Sequence, residues 1–249
     1  MSKSLLIVVY GLFLGSLVGC SEVDSEDVRT SGFNMDAQVT TTDSLTRIQV
    51  RLRNGDDIDS DRIILSAGDR LIADLSGRRI ELERQNSTYR GSYEQVTGGE
   101  VLRLELSRPE GVNALATGVL LPNLFEINAP DQGVSFNAGD TITVVWSPSD
   151  PGNTMSVSYS VDCTLIENAN TFHAGRIGRT FDVPDIGTHT TRVNTILNAF
   201  DDQDQFATGI PCPLEIELTR ENSGTLDPAL DGGSIEAKQQ QTVNGIVIP

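Results

Sequence analysis

The clearest pattern in the chain is period-two alternation of apolar and polar residues. In Arg47–Arg53, Ile48, Val50 and Leu52 share one face while Arg47, Gln49, Arg51 and Arg53 share the other. Val101–Leu106 alternates the same way, and in Thr141–Trp146 the residues Ile142, Val144 and Trp146 point together. Met155, Val157, Tyr159, Val161 and Cys163 form one face of Met155–Cys163, and Ser156, Ser158, Ser160 and Asp162 the other. Successive side chains of a strand point to opposite faces, so each run reads as a half-buried β-strand. Thr141–Trp146 and Met155–Cys163 flank a Pro- and Gly-containing break, which predicts an antiparallel pair carrying the chain's only tryptophan, Trp146, in its core.

Similar runs recur throughout. The first half predicts strands at Phe33–Thr41, Thr46–Arg53, Arg62–Ser66, Arg70–Leu75, Arg79–Glu83, Thr88–Gln95, Glu100–Ser107 and Ala114–Leu121. The second predicts Leu124–Ile127, Gly133–Phe136, Thr141–Trp146, Met155–Cys163, Arg179–Val183, Thr188–Thr195, Leu214–Thr219 and Ile235–Val243. Turn chemistry separates them, as at Asn54-Gly55-Asp56 and Thr97-Gly98-Gly99. Between Asn194 and Cys212 the pattern weakens to a helical turn or a long loop. No long 3.6-residue period appears. The expected fold is all-β: two tandem antiparallel sandwiches, residues 32–122 and 123–249, divided at Leu121-Pro122-Asn123. Both halves end on a strand, an Arg-led turn (Arg108-Pro109-Glu110-Gly111; Arg220-Glu221-Asn222-Ser223-Gly224), a further strand and a proline, which suggests two copies of one topology.

Residues 1–19 break the pattern. Lys3 precedes the apolar run Leu5–Leu14 and then small residues, the layout of a secretory signal peptide, too short for a comfortable membrane span of about 20 residues. Residues 20–31 are acidic, with few apolar positions, and read as a flexible tether.

The net charge is −17. Pro122–Pro249 holds 5 basic and 17 acidic residues, whereas Gly32–Leu121 holds 11 arginines and 14 acids. Nucleic acid is not expected as a partner, because phosphate contacts need a basic patch. Two acidic runs are candidate Ca²⁺ ligands: Asp57, Asp59 and Asp61 at alternate positions, and Asp201, Asp202 and Asp204 in the irregular stretch. Both also read as solvated turns, and no other cofactor is implied. Arg47, Arg51 and Arg53, with Arg78 and Arg79, make strand faces locally basic. They suit either an ordinary charged surface or contact with anionic headgroups.

Three cysteines remain to be placed. With Cys20 set aside, Cys163 and Cys212 are an even pair suited to a disulfide in an oxidising compartment; the competing reading, a reactive thiol with a histidine base, has only His173 and His189 to draw on. The histidines read as surface or loop residues. No G-x-S-x-G turn, Walker A loop or zinc-ligand cluster is present, so an enzyme is not expected.

Two resemblances refine this picture. Leu17-Val18-Gly19-Cys20, behind its apolar run, resembles the lipobox of bacterial lipoproteins. It implies acylation of Cys20, cleavage before it, and anchoring by several acyl chains. Ser21 rather than Asp after the cysteine favours the outer membrane, with the folded part in the periplasm. Ala138-Gly139-Asp140, Thr141–Trp146 and Ser147-Pro148 resemble bacterial immunoglobulin-like modules, which supports fold but no activity. The order Trp146, Cys163, Cys212 departs from antibody domains, so a disulfide need not join the strands it joins there. The expectation is a lipid-anchored envelope protein that acts through an unknown protein partner. A carbohydrate- or ligand-binding module and, less strongly, an envelope hydrolase are the alternatives.

Overall fold

The computed structural model describes residues 22–43, 45–55, 57, 60–168, 171–198, 205–206 and 210–249. The first half gives β1 (Glu22–Asp24), β2 (Phe33–Thr42), β3 (Leu45–Asn54), β4 (Arg62–Ile64), β5 (Arg70–Leu75), β6 (Arg78–Glu81), β7 (Glu83–Gln85), β8 (Thr88–Glu94), β9 (Val101–Ser107) and β10 (Ala114–Leu120). The second gives β11 (Glu126–Ala129), β12 (Thr141–Ser147), β13 (Thr154–Asn168), β14 (Thr171–Pro184), β15 (Thr188–Arg192), the short helix α1 (Val193–Leu197), β16 (Gln205–Phe206), β17 (Cys212–Ser223) and β18 (Gly232–Ile248). The protein is all-β and built as β-sandwiches, as the alternation predicts.

One 11-stranded sheet runs through the whole molecule in the order β1-β4-β3-β2-β18-β17-β13-β14, with β8 also on β3, β7 on β8 and β16 on β13. Two smaller sheets cover it. The layer β10-β9-β5-β6 closes the first core around Phe33, Met35, Leu71 and Leu104. The layer β11-β12-β15 closes the second around Trp146, Tyr159 and Ile216. Thr141–Trp146 and Met155–Cys163 therefore do not pair with each other. They carry the predicted inward faces but lie in opposite layers, where they pack across the core. Gly133–Phe136 forms no strand; it contributes a single bridge, Ser135 with Val247.

The boundary at Leu121-Pro122-Asn123 separates most of each core, but β18 crosses it. The C-terminal part of β18 places Ile246 and Ile248 in the second core, whereas Ile235 and Ala237 belong to the first, together with Leu230 from the preceding loop. Along Gly232–Gln240 the strand pairs in parallel with β2, so the fold is not wholly antiparallel. A second parallel pairing joins β1 to β4. Two glycines permit the return: a Cβ on Gly224 would lie 2.2 Å from the Gly118 carbonyl oxygen, and one on Gly233 (φ +112°) 2.1 Å from that of Met35. At about 3.3 Å per residue, β18 spans roughly 53 Å and is the common rail of both sandwiches.

Candidate functional site

Strand register defines two ends of this body. Gly232, the first residue of β18, pairs with Asn34, Asn34 with Arg53, Arg53 with Arg62, and Arg62 with Glu22. The chain thus enters at the end of the first sandwich that lies farthest from the second. At the opposite end, Ile248 pairs with Cys212, and the β13–β14 hairpin runs past that pair through Leu165 opposite His173 and Ile166 opposite Phe172. Cys20 lies outside the described residues but only two positions before Glu22.

Residues 22–31 are not a free tether where they are described. Ser25, Val28 and Thr30 are buried. They are held by Arg108, whose Nε donates to Asp69 Oδ2 at 3.0 Å, whose Nη1 donates to Val28 O at 2.9 Å and to Thr30 Oγ1 at 3.1 Å, and whose Nη2 donates to Ser25 O. Ser25 Oγ donates to Asp69 Oδ2 at 2.7 Å, and the guanidinium lies 4.8 Å over the Phe33 ring. Five donors on a rigid plane let one side chain collect backbone carbonyls and a carboxylate together.

The second sandwich repeats the device where the two halves meet. Arg220 Nε donates to Asp185 Oδ2 at 2.7 Å, Nη1 to Asn123 O at 2.7 Å and Nη2 to Pro148 O at 2.9 Å, while the guanidinium lies 5.0 Å over Phe125. Trp146 Nε1 donates to the other oxygen of Asp185 at 2.7 Å. Arg108 clamps the segment leading into the first sandwich, and Arg220 clamps the linker leading into the second. Neither pair was identified from sequence as functional; the matching Arg-led strand ends were its one visible trace.

The remaining candidates divide. Cys163 and Cys212 form a disulfide, with Cα atoms 4.5 Å apart, between neighbouring strands of one sheet rather than between layers. That removes the reactive-thiol reading for both. Trp146 is buried as expected. Asp201, Asp202 and Asp204 lie outside the described residues, as does Asp59. The Asp57 carbonyl accepts from Arg53 Nη1 at 3.1 Å. Among the described residues no group of three His, Cys, Asp or Glu side chains is placed to hold a metal ion, and no helix is long and apolar enough to cross a membrane.

Arg79 pairs with Glu105 at 2.5 Å, and the hydrogen bond and charge of that carboxylate push its pKa up. Arg53 pairs with Asp36, so the arginine-rich face of β3 is partly neutralised. With Arg51, Arg62, Gln38 and Gln49 these two residues line an open polar groove of about 590 Å³. Among the described residues no aromatic side chain lines it.

His189 corrects the expectation of a surface histidine. It is partly buried between the layers, its ring 5.3 Å from Phe181 and 6.3 Å from Tyr159. His189 Nε2 and the Tyr159 hydroxyl are both buried without a hydrogen-bond partner among the described residues. Burial pushes the Tyr159 hydroxyl well above its usual range and holds the His189 imidazole below its own. Asp185, with its oxygens taken by Trp146 and Arg220, is not in a triad with His189.

No protein-family model and no curated protein matches the chain. Among solved structures, a crystal structure of red sea bream transglutaminase aligns with 88 % of this chain at 11 % identity and a TM-score of 0.20; the chain spans 31 % of that protein. The crystal structure of CBD12 from CALX1.2 aligns over 83 % of this chain and 99 % of its own, at 12 % identity and a TM-score of 0.19. At these values neither likeness bears on what this chain does.

Proposed function

We propose that this protein is a lipid-anchored component of a bacterial envelope, held at the outer membrane by acyl groups on Cys20 and acting as a non-catalytic interaction module on an unidentified protein partner. The observation that supports it is the position of the lipobox cysteine, two residues ahead of a strand built into the end of the body. A chain of two residues reaches about 7 Å at most. An acyl group on Cys20 therefore ties the first sandwich close to the bilayer, and the β13–β14 hairpin lies at the other end. Rigid sandwiches that present loops and hairpin tips serve binding more often than catalysis.

Metabolic labelling with a clickable fatty acid tests this reading. Label should enter the wild-type protein and be absent from Cys20→Ser. Equal labelling of both, or of neither, contradicts it.

A further inference from the structure

We propose that His189 is a proton-sensitive latch between the two layers of the second sandwich, and that protonating it releases β15 and α1 from the β13–β14 hairpin. His189 stands on β15 opposite Val144 of β12, with its ring against Phe181 of β14 and near Tyr159 of β13. Its Nε2 is buried and has no hydrogen-bond partner among the described residues. A neutral imidazole leaves one nitrogen without a proton, whereas an imidazolium has two N–H donors and a charge to satisfy.

Among the described residues nothing that packs against it meets that need. The titratable and charged groups of this cluster are Tyr159 of β13, its ring 6.3 Å from the imidazole, and Arg179 of β14, whose guanidinium lies 5.7 Å over Phe181 and donates to Thr195 O at 2.8 Å. β12 offers Val144, and α1 turns Val193 and Ile196 inward. Asp185, in the loop between β14 and β15, is committed to Trp146 and Arg220. Among the described residues no carboxylate is placed to pair with the new charge, and the one charged side chain stacked on the same Phe181 ring, Arg179, carries the same sign.

The element that gives way is set by the topology. Among the described residues β15 is an edge strand that pairs only with β12, and α1 is a single five-residue turn after it. Their release uncovers Ile177, Phe181 and Val183, the partly buried side chains of β14 that pack against the second core. Acid then exposes an apolar strip on the terminal strand of the long sheet.

The sign is fixed. Burial lowers the folded-state pKa of His189 below its ordinary value of about 6.5. Stability from this group is complete above that unfolded value, falls as the pH drops through it toward the folded pKa, and levels off below. Each unit of lowering is a tenfold change in the opening equilibrium.

Amide hydrogen exchange on the whole chain, expressed as protection relative to unstructured peptide at each pH, reads the latch directly. Residues 188–197 should lose protection between pH 7.5 and 5.0 in the wild type, while β17 and β18 keep theirs. His189→Gln and His189→Phe, each neutral at every pH, should show no pH-dependent loss there. If either variant fails to fold, the other and an NMR titration of His189 remain. A His189 pKa at or above 6.5, or the same acid loss in a folded His189 variant, overturns the proposal.

Discussion

Arg220 and Asp185 are bonded at 2.7 Å with side chains 2 % and 0 % exposed, where the linker enters the second sandwich. The carboxylate is shared with Trp146 and the guanidinium reaches the carbonyls of Asn123 and Pro148. Arg108 with Asp69 does the same at the far end of the first sandwich. Each half closes its entry end with an arginine stacked on a phenylalanine and bonded to the chain that leads in. Breaking a buried pair by removing one partner costs about 3–5 kcal/mol, because the other charge is left uncompensated. Asp185→Ala should therefore destabilise by that amount and red-shift the emission of Trp146. A loss below about 1 kcal/mol would mean that the pair contributes little and that its carbonyl contacts hold without it.

Arg108→Met keeps much of the apolar stem while removing every donor to Ser25, Val28 and Thr30. The segment before β2 should then come loose. Arg29 is exposed in a clamped stretch, so brief trypsin treatment should cut after it in the variant and spare it in the wild type. Equal cutting rates would show that the clamp does not hold the segment.

The shared strand makes its own prediction. A fragment of residues 123–249 carries Leu230, Ile235 and Ala237 with no first core to receive them, and a fragment of residues 22–122 lacks those side chains. Expressed separately, each should aggregate or melt without cooperativity; expressed together they should associate into one complex. A monomeric, cooperatively melting 123–249 fragment would show that β18 is not shared in the sense described.

Much of this was readable beforehand. The inward faces of β3, β9, β12 and β13 follow from alternation, because a period of two leaves no choice once one face is buried. Pairing partners did not follow. Alternation says which way Trp146 and Tyr159 point, and nothing about whether their strands are neighbours or lie in opposed layers. Alternation predicts β18 over Ile235–Val243 alone, since its polar middle hides a strand, Gly232–Ile248, that serves two cores. Arg108 and Arg220 carry no mark of burial in the sequence, because arginine next to turn residues is usually exposed. Residues 22–31 resembled a tether because few of them are apolar; hydrogen bonds to backbone carbonyls hold them, and these leave little mark in composition.

The disulfide closes a loop of 49 residues in sequence separation. In the chain-entropy model a loop of that size contributes about 4 kcal/mol. Cys163→Ala with Cys212→Ala should lower stability by up to that amount and loosen the hairpin beyond it first, so proteolysis near residues 165–175 should precede global unfolding. Loss of the β10–β9–β5–β6 layer before the hairpin would contradict this.

The proposed acyl anchor on Cys20 is tested most directly by fractionation. Wild-type protein and Cys20→Ser are expressed in a Gram-negative host, and membranes are washed with carbonate and then extracted with detergent. Wild type should resist carbonate and require detergent, while Cys20→Ser should appear in the soluble periplasmic fraction with the same disulfide and the same melt. A Cys20→Ser protein that is folded and still needs detergent for release would contradict the lipid-anchored reading.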